Sequence, residues 1–215
     1  RRIGEYLWPG HFPESHWKQY ERVPRTWNAL YQQKPAPETG SFFEADWLHT
    51  CEVLPPLDQL RIYGASDYAV SERHGDYTVH IVVGLDSEGR MYVLDLWRRQ
   101  AKANVWVEAA CELMQQWRPV VWAEEGGQIN GAVGPFLQHE MRLRSIYHTV
   151  RRQIAVRSDK MARAQSIAGR MGLKGLYLPA GADWMPAFRA ELMAFPHGRH
   201  DDQVDALSLI GQLLD

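Results

Sequence analysis

The sequence predicts an α/β fold: a mixed five-stranded sheet with helices on both faces, preceded by an irregular N-terminal extension over residues 1–59. Three observations predict it. Tyr77 to Leu85 (YTVHIVVGL) and Met91 to Trp97 (MYVLDLW) are β-branched and aromatic runs joined by the turn Asp86-Ser87-Glu88-Gly89, the pattern of a hairpin. Beyond them, short apolar runs alternate with stretches of helical spacing, which calls for strands covered by helices. Before residue 60 neither period is present. Pro9, Pro13, Pro24, Pro35, Pro37, Pro55 and Pro56 interrupt the chain there, and Trp8, Trp17, Trp27 and Trp47 are scattered through it.

A short helix is expected from Pro24 to Gln33, with the proline in its first turn, and Glu38-Thr39-Gly40 reads as a turn. Leu60 to Ala65 is the first strand and ends at Ser66-Asp67. The hairpin follows. Asn104 to Trp117 is helical by spacing, with Val105, Ala109, Leu113 and Trp117 on one face. Pro119 to Ala123 is a strand running into Glu124-Glu125-Gly126-Gly127, whose glycines leave room for a close approach. Gln128 to Glu140 is expected to be helical and Ser145 to Val150 a strand. A helix starts at Ser158-Asp159-Lys160, with Ser158 as N-cap, and runs to about Met171. Leu176 to Leu178 is a short extended piece. Asp183 to Phe195 and Asp201 to Leu214 are the last two helices. An antiparallel hairpin followed by alternating strands and helices gives a mixed sheet.

The 215 residues, 45% of them hydrophobic, suffice for one large domain or a domain with an extension. Cys51 and Cys111 have no metal-site spacing and fit a reduced environment. No apolar run reaches membrane-span length, so no membrane partner is expected. The chain starts Arg-Arg-Ile, which reads as part of something longer. A net charge of -2 does not announce a nucleic-acid binder. Its distribution says more: Arg142, Arg144, Arg151, Arg152, Arg157, Lys160, Arg163, Arg170 and Lys174 surround Asp159 alone among acids. That block is a candidate phosphate-binding surface, against the alternative of a solvated helix and loop face.

The chemistry concentrates in His200-Asp201-Asp202-Gln203-Val204-Asp205-Ala206-Leu207. Carboxylates crowded at the mouth of an apolar helix repel and resist desolvation, and a divalent cation removes both penalties. Asp202 and Asp205 are three residues apart and share a helical face. Asp201 stands at the N-cap position, and His200 is a neighbour or a ligand. Asp67 and Glu124 each finish a strand. If those strands are adjacent and parallel, both acids emerge at one sheet edge, where the helix from Asp202 can meet them. Strand alternation sends only one of Glu124 and Glu125 to that site, and Glu124, which completes the apolar run, is expected there. Such oxygens suit Mg²⁺ or Mn²⁺, and two ions would serve phosphodiester hydrolysis. Asp76 and Asp86 read as turn residues. No Cys or His cluster supports zinc, and neither a phosphate-binding glycine loop nor a G-x-S-x-G elbow is present.

These residues resemble the C-terminal nuclease part of the large terminase subunit of tailed bacteriophages. The likeness rests on Gly4-Glu5-Tyr6-Leu7-Trp8-Pro9, Ala29 to Pro35, Gly40-Ser41-Phe42-Phe43, Asp67 with Gly75-Asp76-Tyr77-Thr78, Val120 to Glu125, Lys160-Met161-Ala162-Arg163-Ala164, and Phe195 through Leu207. Each motif alone is weak; their order and spacing are specific. The resemblance implies an RNase H-like fold and a metal-dependent endonuclease that cuts concatemeric double-stranded DNA during packaging. The metal ligands implied are Asp67, Glu124, Asp202 and Asp205, with Glu125, Asp201 and His200 as further candidates. Arg151, Arg152, Arg157, Lys160 and Arg163 would face DNA phosphates. An ATPase domain, a portal protein and a small terminase subunit are the implied partners, at the procapsid portal in the host bacterial cytoplasm. An RNase H-like resolvase or transposase-type nuclease is the alternative enzyme. A non-catalytic DNA- or portal-binding module is the alternative outside enzymes.

Overall fold

The computed structural model describes residues 17, 42–69, 75–155 and 159–215, with backbone only at 128–130. The expected helix at 24–33, the turn Glu38-Thr39-Gly40, Arg157 and Ser158 lie outside the described residues. The elements in order are β1 (Leu48–Cys51), β2 (Arg61–Asp67), β3 (Thr78–Leu85), β4 (Met91–Arg99), α1 (Ala103–Trp117), β5 (Val121–Glu125), α2 (Gln128–Leu143), β6 (Val150–Ile154), α3 (Lys160–Lys174), β7 (Leu176–Pro179), α4 (Met185–Ala194) and α5 (Asp202–Leu214).

The strands form one seven-stranded sheet in the order β1-β7-β4-β3-β2-β5-β6. β2, β3 and β4 pair antiparallel with one another, whereas β5 joins β2, β6 joins β5, β7 joins β4 and β1 joins β7 in parallel. The sheet is mixed, as expected, but wider by two strands than the five expected. β7 is the extended piece at Leu176. β1 lies in the stretch read as irregular, because four residues at an edge carry too little alternation to show. The fifth expected strand is displaced from 145–150 to Val150–Ile154. Ser145 has a left-handed backbone (φ 56) and Ile146 bonds back to the Met141 carbonyl, so 145–147 still belong to the end of α2. β6 is a polar edge strand (VRRQI) with no apolar signature of its own.

Two helices end at a left-handed or positive-φ stop, and the N-cap of α3 is Asp159, one residue after the Ser158 expected. α1 ends at Arg118 in the left-handed region (φ 52), followed by Pro119. α3 is capped by Asp159, whose side chain accepts from the Ala162 amide at 2.8 Å; such a cap stabilises a helix by about 1 kcal/mol. It ends at Gly175 (φ 77).

Two cores flank the sheet. Ala65, Val79, Ile81, Val83 and Ala123 pack against α3, α4 and α5. Ile62, Val82 and Trp122 pack against α1 and α2 on the opposite face. Fully burying each Val, Leu or Ile stabilises the fold by about 1.5–3 kcal/mol, so both faces are held firmly. One close approach locks β2 to β5: a Cβ on Gly64 would sit 2.1 Å from the Trp122 ring. No other residue fits at position 64 while that ring stays in place.

Candidate metal centre

β2 and β5 are parallel neighbours, with Gly64 opposite Trp122, Ala65 opposite Ala123 and Ser66 opposite Glu124. Side chains alternate along a strand. Ala65 and Ala123 face the α5 core, so Asp67 and Glu125 face the same way. Trp122 faces the α1/α2 core, and Glu124 follows it. The sequence reading sends Glu124 toward Asp67 and Glu125 away; the fold reverses this. The phase of alternation is set by the register of β2 against β5, which the identity of the last apolar residue does not reveal.

α5 is seated over this edge by the glutamine inside the acidic run. The Gln203 amide and side-chain nitrogen each donate to the buried Glu191 carboxylate on α4, both at 2.6 Å. Asp201 stands at the N-cap position but makes no capping bond. Its carboxylate lies 2.6 Å from Lys160 Nζ, which also meets Asp205 at 2.8 Å. Arg163 reaches Asp205 at 3.4 Å. Asp202 turns the other way, with Arg98 at 3.9 Å and His200 Nδ1 at 3.8 Å. Asp202 and Asp205 thus divide between two sides of the helix mouth. Donor atoms of Asp76, His200 and Asp202 lie within 4.8 Å of one another. Asp202 Oδ2 and His200 Nδ1 are buried without a hydrogen-bond partner.

The electrostatics join these acids into one neighbourhood. Asp67 is held well above the usual carboxylate range, first by burial, then by repulsion from Asp205, Asp202 and Glu125, with Lys160 opposing. Burial pushes Asp202 up to about 6, with Asp76 and Glu191 adding to the rise. Asp205 is raised by burial despite Lys160 and Arg163. Burial works against the charge on Lys160, but its bonds to Asp201 and Asp205 outweigh that and raise it.

Behind the strands, on the opposite face, the described buried side chains are hydrogen-bonded to one another. The Tyr68 hydroxyl donates to Glu124 Oε1 at 2.5 Å. Arg151 grips the same carboxylate through Nε at 2.7 Å and a terminal nitrogen at 3.0 Å, and donates to the Gly134 carbonyl at 2.8 Å. Trp122 Nε1 donates to Ser66 Oγ at 2.7 Å. Ser66 Oγ also bonds His80 Nδ1, and the other His80 nitrogen bonds the Trp106 carbonyl, both at 2.8 Å. Burial lowers His80 to about 4, so it sits there neutral.

The structure therefore places Asp67 within electrostatic reach of Glu125, Asp202 and Asp205, groups the donors of Asp76, His200 and Asp202, joins Asp201 to Asp205 through Lys160, and leaves Glu124 on the far side. The basic block is not one bare surface. Arg151 is consumed by Glu124, Arg144 meets Glu108 and Glu140, and Arg170 meets Asp215. Lys160 and Arg163 point into the acidic cluster. Arg152 is exposed opposite Ala123, on the acid side of the sheet. Sequence reasoning missed Asp76, read as a turn residue. Its signal was its place just before β3, which the β2–β3 pairing returns to the level of Asp67.

The fold has relatives among solved structures. The human cytomegalovirus terminase nuclease domain is similar over 81% of this chain and 95% of its own, with a TM-score of 0.60 and 12% identity. The large terminase nuclease from the thermophilic phage G20c matches over 79% of this chain and 96% of its own, at 0.56 and 18% identity. The nuclease domain of the large terminase subunit gp2 of bacterial virus Sf6 matches over 80% and 98%, at 0.55 and 10% identity. Among curated proteins none matches. The profile of the terminase RNaseH-like domain matches residues 64–212, from the glycine under Trp122 to the last turn of α5, and the chain belongs to that family.

Proposed function

We propose that the chain is a divalent-metal-dependent DNA endonuclease, the nuclease part of a tailed-phage large terminase subunit that cuts concatemeric double-stranded DNA during packaging. The observation that carries this reading is the gathering of acids around Asp67, which burial first, and then repulsion from Asp205, Asp202 and Glu125, hold well above the usual carboxylate range, beside the donor group of Asp76, His200 and Asp202. Such crowding is costly unless a cation neutralises it. The donors fit a hard ion: all are carboxylate oxygens, and Asp202 Oδ2 is buried without a partner. The cytomegalovirus relative was soaked with manganese, and the G20c relative holds zinc.

Asp67, Glu125 and Asp205 would hold one Mg²⁺ or Mn²⁺; Asp202, with Asp76 and His200, would hold a second. Bound ions would supply an activated water and stabilise the departing 3′-oxygen. The chain's own groups orient and neutralise. Glu191 fixes the start of α5 through Gln203. Lys160 and Arg163 hold Asp205 in place and oppose the rise that burial imposes on it. Arg152, with Arg157, supplies phosphate contacts that position DNA without reading bases. Lys160 and Arg163 would meet the phosphate nearest the ions. An ATPase domain, the portal and the small subunit would be partners at the procapsid portal in the host cytoplasm.

The test is plasmid nicking in Mn²⁺. Asp205→Ala and Asp67→Asn should lose nicking by more than the roughly 10–100-fold typical of residues one shell out from a metal, while still retarding DNA in a gel. Unchanged nicking in both would leave a DNA- or portal-binding module as the reading.

A further inference from the structure

The hydrogen-bonded cluster behind β2 and β5 has no part in the chemistry above, yet it is tied to the two strands that carry it. Ser66 and Tyr68 flank Asp67 in sequence, and Glu124 precedes Glu125. The Tyr68–Glu124 bond therefore crosses from the residue after one acid to the residue before the other. Arg151 fixes the Glu124 end from β6 with two bonds to one carboxylate, and anchors itself on α2 at Gly134. The Trp122–Ser66–His80 chain fastens the same strands one step back. The centre of the cluster is buried: Glu124 is 1% exposed, and Ser66 and His80 are fully buried, with Arg151 at its half-buried rim.

We propose that Tyr68 and Glu124, clamped by Arg151, are positioning residues for the Asp67/Glu125 pair, setting the separation and tilt at which the two carboxylates share a divalent ion. The inference rests on the metal-nuclease reading. Its physical basis is alternation. Rotation or sliding of β2 against β5 that breaks the Tyr68–Glu124 bond also swings Asp67 relative to Glu125, since neighbouring side chains leave a strand in opposite directions. Backbone pairing alone fixes register, but leaves the twist of a strand end soft. Tyr68 lies just past the last paired residue of β2, where that softness is greatest. Groups one shell out from metal ligands commonly hold their geometry and change metal affinity about 10–100-fold when removed.

Tyr68→Phe in the full chain removes one hydroxyl and leaves both Arg151 bonds to Glu124. It should weaken Mn²⁺ binding, measured by titration calorimetry, by about tenfold or more. The Mn²⁺ concentration for half-maximal nicking should rise by the same factor, with the maximal rate recovered at saturation. Arg151→Lys keeps the charge, loses the two-pronged grip, and should behave likewise. Leu178→Ala, on β7 three strands from β2, is the control; it should lower the melting temperature and leave Mn²⁺ affinity as in the wild type. Wild-type affinity in both Tyr68→Phe and Arg151→Lys overturns the assignment, as does equal weakening in Leu178→Ala. If the wild-type chain itself shows no saturable Mn²⁺ binding, the metal-nuclease reading fails and takes the inference with it. If the wild type binds and the variants match it, only the positioning role fails.

Discussion

Glu124 and Glu125 are adjacent in the chain and chemically identical, yet the sheet gives them opposite fates. Glu124 faces the α1/α2 side, where Tyr68 and Arg151 satisfy it completely. Glu125 faces the α5 side among other acids and adds to the repulsion that raises Asp67. The contrast extends to the whole strand pair. Among the described residues the buried side chains behind it are hydrogen-bonded; in front, Asp202 Oδ2 and His200 Nδ1 have no hydrogen-bond partner. A fold can complete its buried hydrogen bonds wherever it only needs to be stable. Where acids are gathered at a cost that Lys160, Arg163 and Arg98 only partly offset, stability has been given up for binding.

The sharpest way to break this comparison is to remove each glutamate in turn. Glu124→Ala strands a half-buried Arg151 guanidinium and leaves the Tyr68 hydroxyl unpaired; it should cost about 2–4 kcal/mol, a fall of roughly 4–16 °C in melting temperature for a chain of this size. Glu125→Ala should lower melting by less than Glu124→Ala does, and abolish Mn²⁺-dependent nicking. Scanning calorimetry and plasmid nicking on the two variants decide the matter. The reverse pattern would place Glu124 at the ions.

A weaker effect follows from the raised carboxylates. Asp67, Asp202 and Asp205 all bind their protons more tightly in the folded chain than in the unfolded one. Their contribution to stability is therefore fully present below the ordinary value of 3.8 and is lost as pH rises through about 6, the folded value for Asp202. The metal-free protein should melt about 5 °C lower near pH 7.5 than near pH 5. Saturating Mn²⁺ should remove most of that fall, because the cation replaces the protons. A metal-free melting temperature that climbs over this range would contradict the crowding of acids.

The smallest effect concerns DNA. Arg152→Ala should reduce the slope of log affinity against log salt by about 1, with little change in melting, whereas Arg151→Ala should act on stability. Fluorescence anisotropy on a DNA duplex at several salt concentrations separates them. An unchanged slope for Arg152→Ala would take β6 out of the DNA surface.

Much of this was legible in the sequence, and the failures share one physical origin. The hairpin was readable because Tyr77 to Leu85 and Met91 to Trp97 carry their own β signature and turn. The acidic α5 was readable because Val204, Leu207 and Ile210 keep helical spacing behind the carboxylates. Asp67 was readable as the end of an apolar run. Glu125 was not, because its direction depends on how β5 slides along β2, a long-range fact. A clue existed in Gly64 and Trp122, a residue without a side chain and the bulkiest one, which oppose each other. Counting three residues on from each gives Asp67 and Glu125. Arg151 was misread for the same reason: its positive charge reads as phosphate-binding until Glu124, 27 positions away, is seen to claim it. β1 escaped, and β6 was placed several residues early, because edge strands need only backbone pairing, which composition does not encode.

Gly64 carries a consequence for anyone mapping this protein by mutation. It touches no substrate and no ion, and it titrates nothing. Because Trp122 occupies the space of its missing side chain, any replacement must displace the ring that spaces the two acid-bearing strands. In a library scored only for DNA cutting, position 64 would be as intolerant as position 67. Ranking residues by intolerance would then count a spacer among the reactive groups, and only a parallel readout of folding would tell the two apart.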